Sequence, residues 1–152
     1  MFDFVVRYLG FLKHVPVLPH LFDAGLKIGL IFGKGRVLDY LDDIENEVLS
    51  WEKTSTQLHK YGGLQFNLDK VEIGHVHGNG LLDILFSKEM KLKFVGEGRV
   101  KEHHIFKNSG WISFYILTAE DKRLAIELLR CSYDIRHKRS SSESARHFVD
   151  LQ

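Results

Sequence analysis

The sequence is short of most features that would disclose a function. A single cysteine among 152 residues, Cys131, excludes an internal disulfide framework and a cysteine-rich zinc site. Only two prolines are present, Pro16 and Pro19, and both bound a bend in an apolar N-terminal segment. Net charge is nearly absent. Twenty-one Lys and Arg oppose 20 Asp and Glu, leaving +1, so no overall field points to nucleic acid or an anionic surface. A membrane span needs about 20 mainly apolar residues, and Arg7, Lys13, Asp23 and Lys27 cut every such run. With no basic region ahead of the apolar stretch, a secretory signal is not expected either, and the cytoplasm is the expected compartment. Phosphate loops are missing too. Gly33-Lys34 lacks both the earlier glycine and the following hydroxyl residue, and Gly96-Glu97-Gly98 lacks a third glycine.

What is present is ordinary for one globular domain: 44% apolar and 27% charged residues on a chain able to bury a core without staples. The balance of charge hides an asymmetry, with residues 1–36 at +3 and residues 37–59 at −5. The acidic block could dock on the basic segment of its own or a neighbouring chain; a solvated helix face is the plainer reading. Residues 1–36 are apolar on several sides and must be covered. Short helices are expected around 3–13 and 20–31, with the domain, a homodimer contact or a membrane surface as cover.

Leu38, Leu41, Ile44, Val48 and Leu49 recur at helical spacing and predict a helix over 37–50, with Trp51 anchoring it and residues 52–56 leading into a sheet. From Gly62 the period becomes two. Strands are expected over 64–68, 71–77 and 81–86, with Asp69-Lys70 and Gly78-Asn79-Gly80 as turns. Ser87 caps a helix over 88–95, strands follow over 100–106 and 111–117, and Thr118 with Asp121 forms a capping box opening a last helix. That helix should bury Leu124, Leu128 and Cys131, the thiol as core and not as nucleophile. The expected fold is α+β: an antiparallel sheet of about five strands, βββαββα, covered by helices. Residues 1–59 form a helical extension, 60–134 the core, and 135–152 a tail without apolar periodicity.

One constellation carries chemistry. His75 and His77 lie two apart on a strand and so share a face, which alternation assigns to Val71 and Ile73 also, with Glu72, Gly74 and Val76 opposite. Asp83 follows on the neighbouring strand among apolar residues, where a carboxylate must be paired. The turn does not decide which histidine meets it. His103 and His104 add a second pair, of which one can join the first. Three readings stay open: a satisfied polar network, a site for a divalent metal, and proton-transfer chemistry with a histidine base steadied by Asp83.

At these residues the sequence resembles a known family. Gly74-His75-Val76-His77-Gly78-Asn79-Gly80-Leu81-Leu82-Asp83-Ile84, Glu97-Gly98-Arg99, His103-His104, Ser109-Gly110-Trp111-Ile112-Ser113-Phe114 and Leu128-Leu129-Arg130-Cys131-Ser132-Tyr133 are similar to the luciferase-domain family over about residues 60–134. The family is named for a distant likeness to fungal luciferase, which oxidises 3-hydroxyhispidin with molecular oxygen. This chain departs from that enzyme in its Gly-Asn-Gly turn and in showing no membrane-anchoring helix before the pair. The resemblance implies site histidines at His75, His77 and His104 and a tryptophan at Trp111. It implies an oxygenase-like protein acting on a small aromatic or enolic ligand. His75 or His77 would be the base, Asp83 its orienter and His104 the oxyanion donor. Trp111, His103, Asn79 and Phe114 would contact the substrate. No motif requires a cofactor; His75, His77 and His104 would be the ligands of any divalent metal. The alternatives are a non-catalytic small-ligand or metal-binding module and an interaction domain using residues 1–36.

Overall fold

A computed structural model of the protein describes Ala24, residues 35–103 and residues 105–149. Apart from Ala24, which is helical, the expected N-terminal helices lie outside the described residues. So do the docking of the acidic block on that segment, any homodimer contact through it, and His104. Helix α1 (Gly35–Leu49) leads into strands β1 (Thr54–Leu58), β2 (Leu64–Leu68), β3 (Val71–Val76) and β4 (Leu81–Leu85). Helix α2 (Lys88–Gly96), strands β5 (Lys101–Glu102) and β6 (Trp111–Tyr115), and helix α3 (Ala119–Val149) complete the order. The strands form one antiparallel sheet in the order β1-β2-β3-β4-β6-β5. The α+β class is as the sequence led us to expect, with a sixth strand added.

That strand is β1. Thr54-Ser55-Thr56-Gln57-Leu58 has no alternation of large apolar residues, because it is an edge with little to bury. Its ladder to β2 holds it, together with the Thr54 hydroxyl, which donates to the carbonyls of Val48 and Trp51 at 2.7 and 2.8 Å. At the opposite edge, β5 is two residues long where seven were expected. After it the chain turns back, and the His103 ring holds that turn.

The sheet has one apolar and one polar face. Leu64, Val76, Leu82 and Phe114 are register partners across β2, β3, β4 and β6, and they lie under the helices with Phe66, Ile84 and Ile112. From α1 come Val37, Ile44 and Val48; Leu49, expected in this stripe, is 44% exposed at the helix end. From α3 come Ala125, Leu128, Leu129 and Tyr133, with Leu124 and Cys131 partly buried at the margin. Trp51 packs on Tyr133 at 5.4 Å between ring centres. Lys122 joins the helices through Asp43 at 2.6 Å. Both caps form as expected. Ser87 accepts from the Met90 amide, and Thr118 and Asp121 exchange hydrogen bonds at 2.9 and 3.1 Å. Helix α3 continues through residues 136–149, where the sequence carries no apolar repeat. No helix among the described residues is long and apolar enough to cross a membrane.

A bulge in β3 changes which residues share a face. Phe66 pairs with Gly74 but Asn67 pairs with Glu72, leaving Ile73 as the extra residue. Its carbonyl, outside the ladder, accepts from the Ser132 hydroxyl of α3 at 2.7 Å. Ile73 is therefore fully buried in the core and Glu72 falls on the histidine face, the reverse of strict alternation. Gly74 faces α3, where a Cβ would stand 2.9 Å from Leu129 Cδ2.

The β3–β4 turn sets where His77 stands. Gly80 has φ +82°, and a Cβ there would meet the Ile116 carbonyl oxygen at 2.8 Å. Its own carbonyl accepts from the Ile116 amide at 2.9 Å. Gly80→Ala is expected to cost about 1–3 kcal/mol in urea unfolding, the range for a non-glycine residue forced into left-handed backbone. An unchanged midpoint would contradict this account of the turn.

Candidate functional site

The polar face is organised as a row. Gln65, His75, Asp83, Ser113 and Lys101 are successive register partners across five strands, which puts Asp83 at the middle of the sheet. His75 is thus the residue directly opposite Asp83, and the register question left by the turn is answered. His77, two residues on, reaches the same oxygen. Asp83 is 0% exposed. Its Oδ1 accepts from the Ser113 hydroxyl at 2.5 Å.

Around Oδ2 stand three imidazole Nε2 atoms: His77 at 3.5 Å, His75 at 3.6 Å and His103 at 3.8 Å. These distances exceed ordinary N–H···O bonds of about 2.7–3.2 Å, and Oδ2 is a buried acceptor without a hydrogen-bond partner of normal geometry. Burial pushes the Asp83 carboxyl up, but the His77 imidazole, the Ser113 hydroxyl and the charges of His103 and His75 outweigh it, and it stays below its usual range. Asp83 is a buried carboxylate held ionised.

The outer nitrogens define the tautomers. His75 Nδ1 lies 2.6 Å from Glu72 Oε1, brought there by the bulge. Glu72 is likewise held below its usual range: burial raises it, but hydrogen bonding and charge from His75, then His59 and Lys60, prevail. An ionised carboxylate only accepts, so His75 carries its proton on Nδ1 and leaves Nε2 bare when neutral. His103 is the opposite case. Its Nδ1 accepts from the amides of Ile105 and Phe106, both at 3.1 Å, so its proton sits on Nε2. This loop is steadied by the buried Lys91, whose ammonium meets the carbonyls of Lys107 and Ser109 and the Glu102 carboxylate.

Other expected residues are distributed as follows. The Trp111 ring stands 5.4 Å from His75 and 6.0 Å from His103, walling the cluster. Asn79 serves the turn, its side-chain oxygen accepting from the Leu81 amide at 3.1 Å. Phe114 pairs with Leu82 and packs on the core, on the face away from the histidines. His103 approaches Asp83, and its neighbour His104 lies outside the described residues. Burial and Asp134 push the Cys131 thiol up, which suits its place at the core margin.

Three participants escaped the sequence reading, the Ser113 hydroxyl on Asp83 among them. Glu72 was assigned to the wrong face, since a bulge leaves no mark on alternation. His59, just after β1, is 4% exposed and stacks on His75 with ring centres 3.8 Å apart and planes 11° from parallel. Its only signal was an isolated histidine beside a glycine pair.

The Luciferase domain family model matches residues 70–132. Over these residues the chain is similar to the luciferase domain. The matched span holds Glu72, His75, His77, Asp83, His103, Trp111 and Ser113, every described residue of the cluster except His59. No curated protein and no solved structure matches the chain.

His59 gives the domain a pH dependence. Burial, and next the charge of His75, lower it from 6.5 to about 4. Between those values the unfolded chain takes up a proton that folded His59 refuses, so stability falls as pH falls from 6.5 to about 4. Glu72 and Asp83, both held below their usual range, add their losses from the acid end of that window downward, as they protonate. Urea unfolding of His59→Phe, which keeps a ring against His75, is expected to show a shallower fall over that window than wild type. Equal slopes would contradict the assignment.

Proposed function

We propose that the chain is an oxygenase-like enzyme that ionises a small enolic or phenolic molecule at the His75–His77–Asp83 cluster and presents the anion to dioxygen. The observation that supports this most is the bare His75 Nε2 facing the ionised, unpartnered Asp83 Oδ2 across 3.6 Å. Two lone pairs facing each other in a buried site leave room for one positive charge, and the hydroxyl proton of a substrate is the simplest one available.

His77 is the best placed to receive that proton. Its side chain is 12% exposed, against 7% for His75 and His103 and 1% for Asp83, so it is the one most open to a ligand. Asp83 stabilises the imidazolium that forms. The Nε2–H of His103 donates to the developing oxyanion, and Trp111 offers an aromatic wall. The substrate anion then supplies two electrons to a new carbon–oxygen bond with dioxygen. The proton returns from His77 to the terminal oxygen, so substrate and oxygen leave together as a hydroperoxide and no reductant is consumed. The likeness of the family to fungal luciferase favours dioxygen as the second reactant; the substrate need not be shared.

A thermal-shift screen of hydroxypyrones and phenols, followed by oxygen uptake on the compounds that bind, tests the reading. At least one compound should raise the melting temperature and consume oxygen. His75→Ala with His77→Ala should abolish uptake while the circular dichroism spectrum stays unchanged. Uptake surviving that double substitution would contradict the assignment. Binding without uptake would leave a ligand-binding module.

A further inference from the structure

The geometry points to a second occupant of the same gap: we infer that His75 Nε2, His77 Nε2 and Asp83 Oδ2 bind a divalent first-row transition-metal ion. The inference rests on the reading above only in placing the chemistry at this cluster.

Three features carry it. The three donor atoms lie within 4.8 Å of one another. A metal with bonds of about 2.0–2.2 Å sets neighbouring ligands about 3.0–3.5 Å apart. The two observed N···O separations, 3.5 and 3.6 Å, need only a small inward movement to match. Second, Asp83 Oδ2 is buried and lacks a hydrogen-bond partner of normal geometry, a position that a bound cation would satisfy. Third, the outer partner of one ligand is already in place. His75 donates Nδ1–H to Glu72, the carboxylate–histidine arrangement that orients an imidazole lone pair toward a metal.

The hydrogen bonds also say which histidine is not a ligand. His103 Nδ1 is occupied by two amides, so its Nε2 carries a proton and has no lone pair to give. It stands beside the ion as a donor. Two imidazole nitrogens and one carboxylate oxygen suit a borderline transition ion better than calcium or magnesium, and they leave coordination positions open to a ligand. With the ion bound, His77 Nε2 would hold the metal in place of a proton. A substrate hydroxyl on an open position would instead lose its proton because the cation lowers its pKa. Proton and metal exclude each other from one gap, and that makes the two states separable.

The test uses the full chain, purified without a polyhistidine tag, stripped with EDTA and titrated with Co2+ as a visible-absorption probe. One ion per chain is expected, with a rise in melting temperature. His77→Ala and Asp83→Asn should each weaken binding by at least about tenfold, and Glu72→Gln by about 10–100-fold. His103→Gln should leave binding unchanged. Should Asp83→Asn fail to fold, His77→Ala carries the test, since that side chain closes a hairpin and is partly open. Absence of stoichiometric binding, or equal binding by His77→Ala, overturns the inference. If no ion binds while oxygen uptake still depends on His77, the metal fails and the proposed function stands. If an ion binds and no compound is consumed, the reverse holds.

Discussion

One buried carboxylate organises the polar half of this protein. Asp83 sits on a central strand with its side chain out of water, and an ionised group so placed must be offset by its neighbours. Ser113 satisfies one oxygen through the adjoining strand. The other is surrounded by imidazoles from the opposing strand and from the loop after β5. Removing those groups would strand the charge. The apolar face of the sheet explains why the chain folds, while the row through Asp83 explains why its other face holds histidines where valines would pack more cheaply.

The bulge at Ile73 is the device that makes this compatible with a core. Without the extra residue, Glu72 would turn toward the helices and Ile73 toward the histidines. With it, Ile73 fills the core, the Ser132 hydroxyl takes the carbonyl left outside the ladder, and Glu72 reaches His75. One irregularity thereby fixes the tautomer of a site imidazole. The loop after β5 does the same for His103 by the opposite arrangement, its amides donating to Nδ1. Two histidines on the same carboxylate are thus set in different protonation patterns by local backbone.

Much of the architecture was legible because it follows period and punctuation. Helix α1, strands β2 to β4 and both helix caps are written in apolar spacing and in Ser87, Thr118 and Asp121. Strand β1 was not, because an edge strand of Thr, Ser and Gln buries too little to leave a pattern. His75, His77 and Asp83 were legible as neighbours from the hairpin alone, but their register was not, since Gly78-Asn79-Gly80 permits more than one pairing. Glu72 needed the bulge, and His59 needed the long-range pairing of β1 with β2. Phe114 looked like a ligand contact only because alternation does not say which face of the fifth predicted strand is covered.

The likeness to the luciferase domain over residues 70–132 spans the cluster without naming a substrate, and the chemistry therefore rests on protonation. Two-dimensional long-range 1H–15N NMR of the imidazoles, on metal-free protein at mildly alkaline pH, reads that directly. The account expects His75 protonated on Nδ1 alone and His103 on Nε2 alone. A proton on His75 Nε2 would fill the gap beside Asp83 from within and contradict both the room proposed there for a substrate proton and the metal ligand assigned to His75.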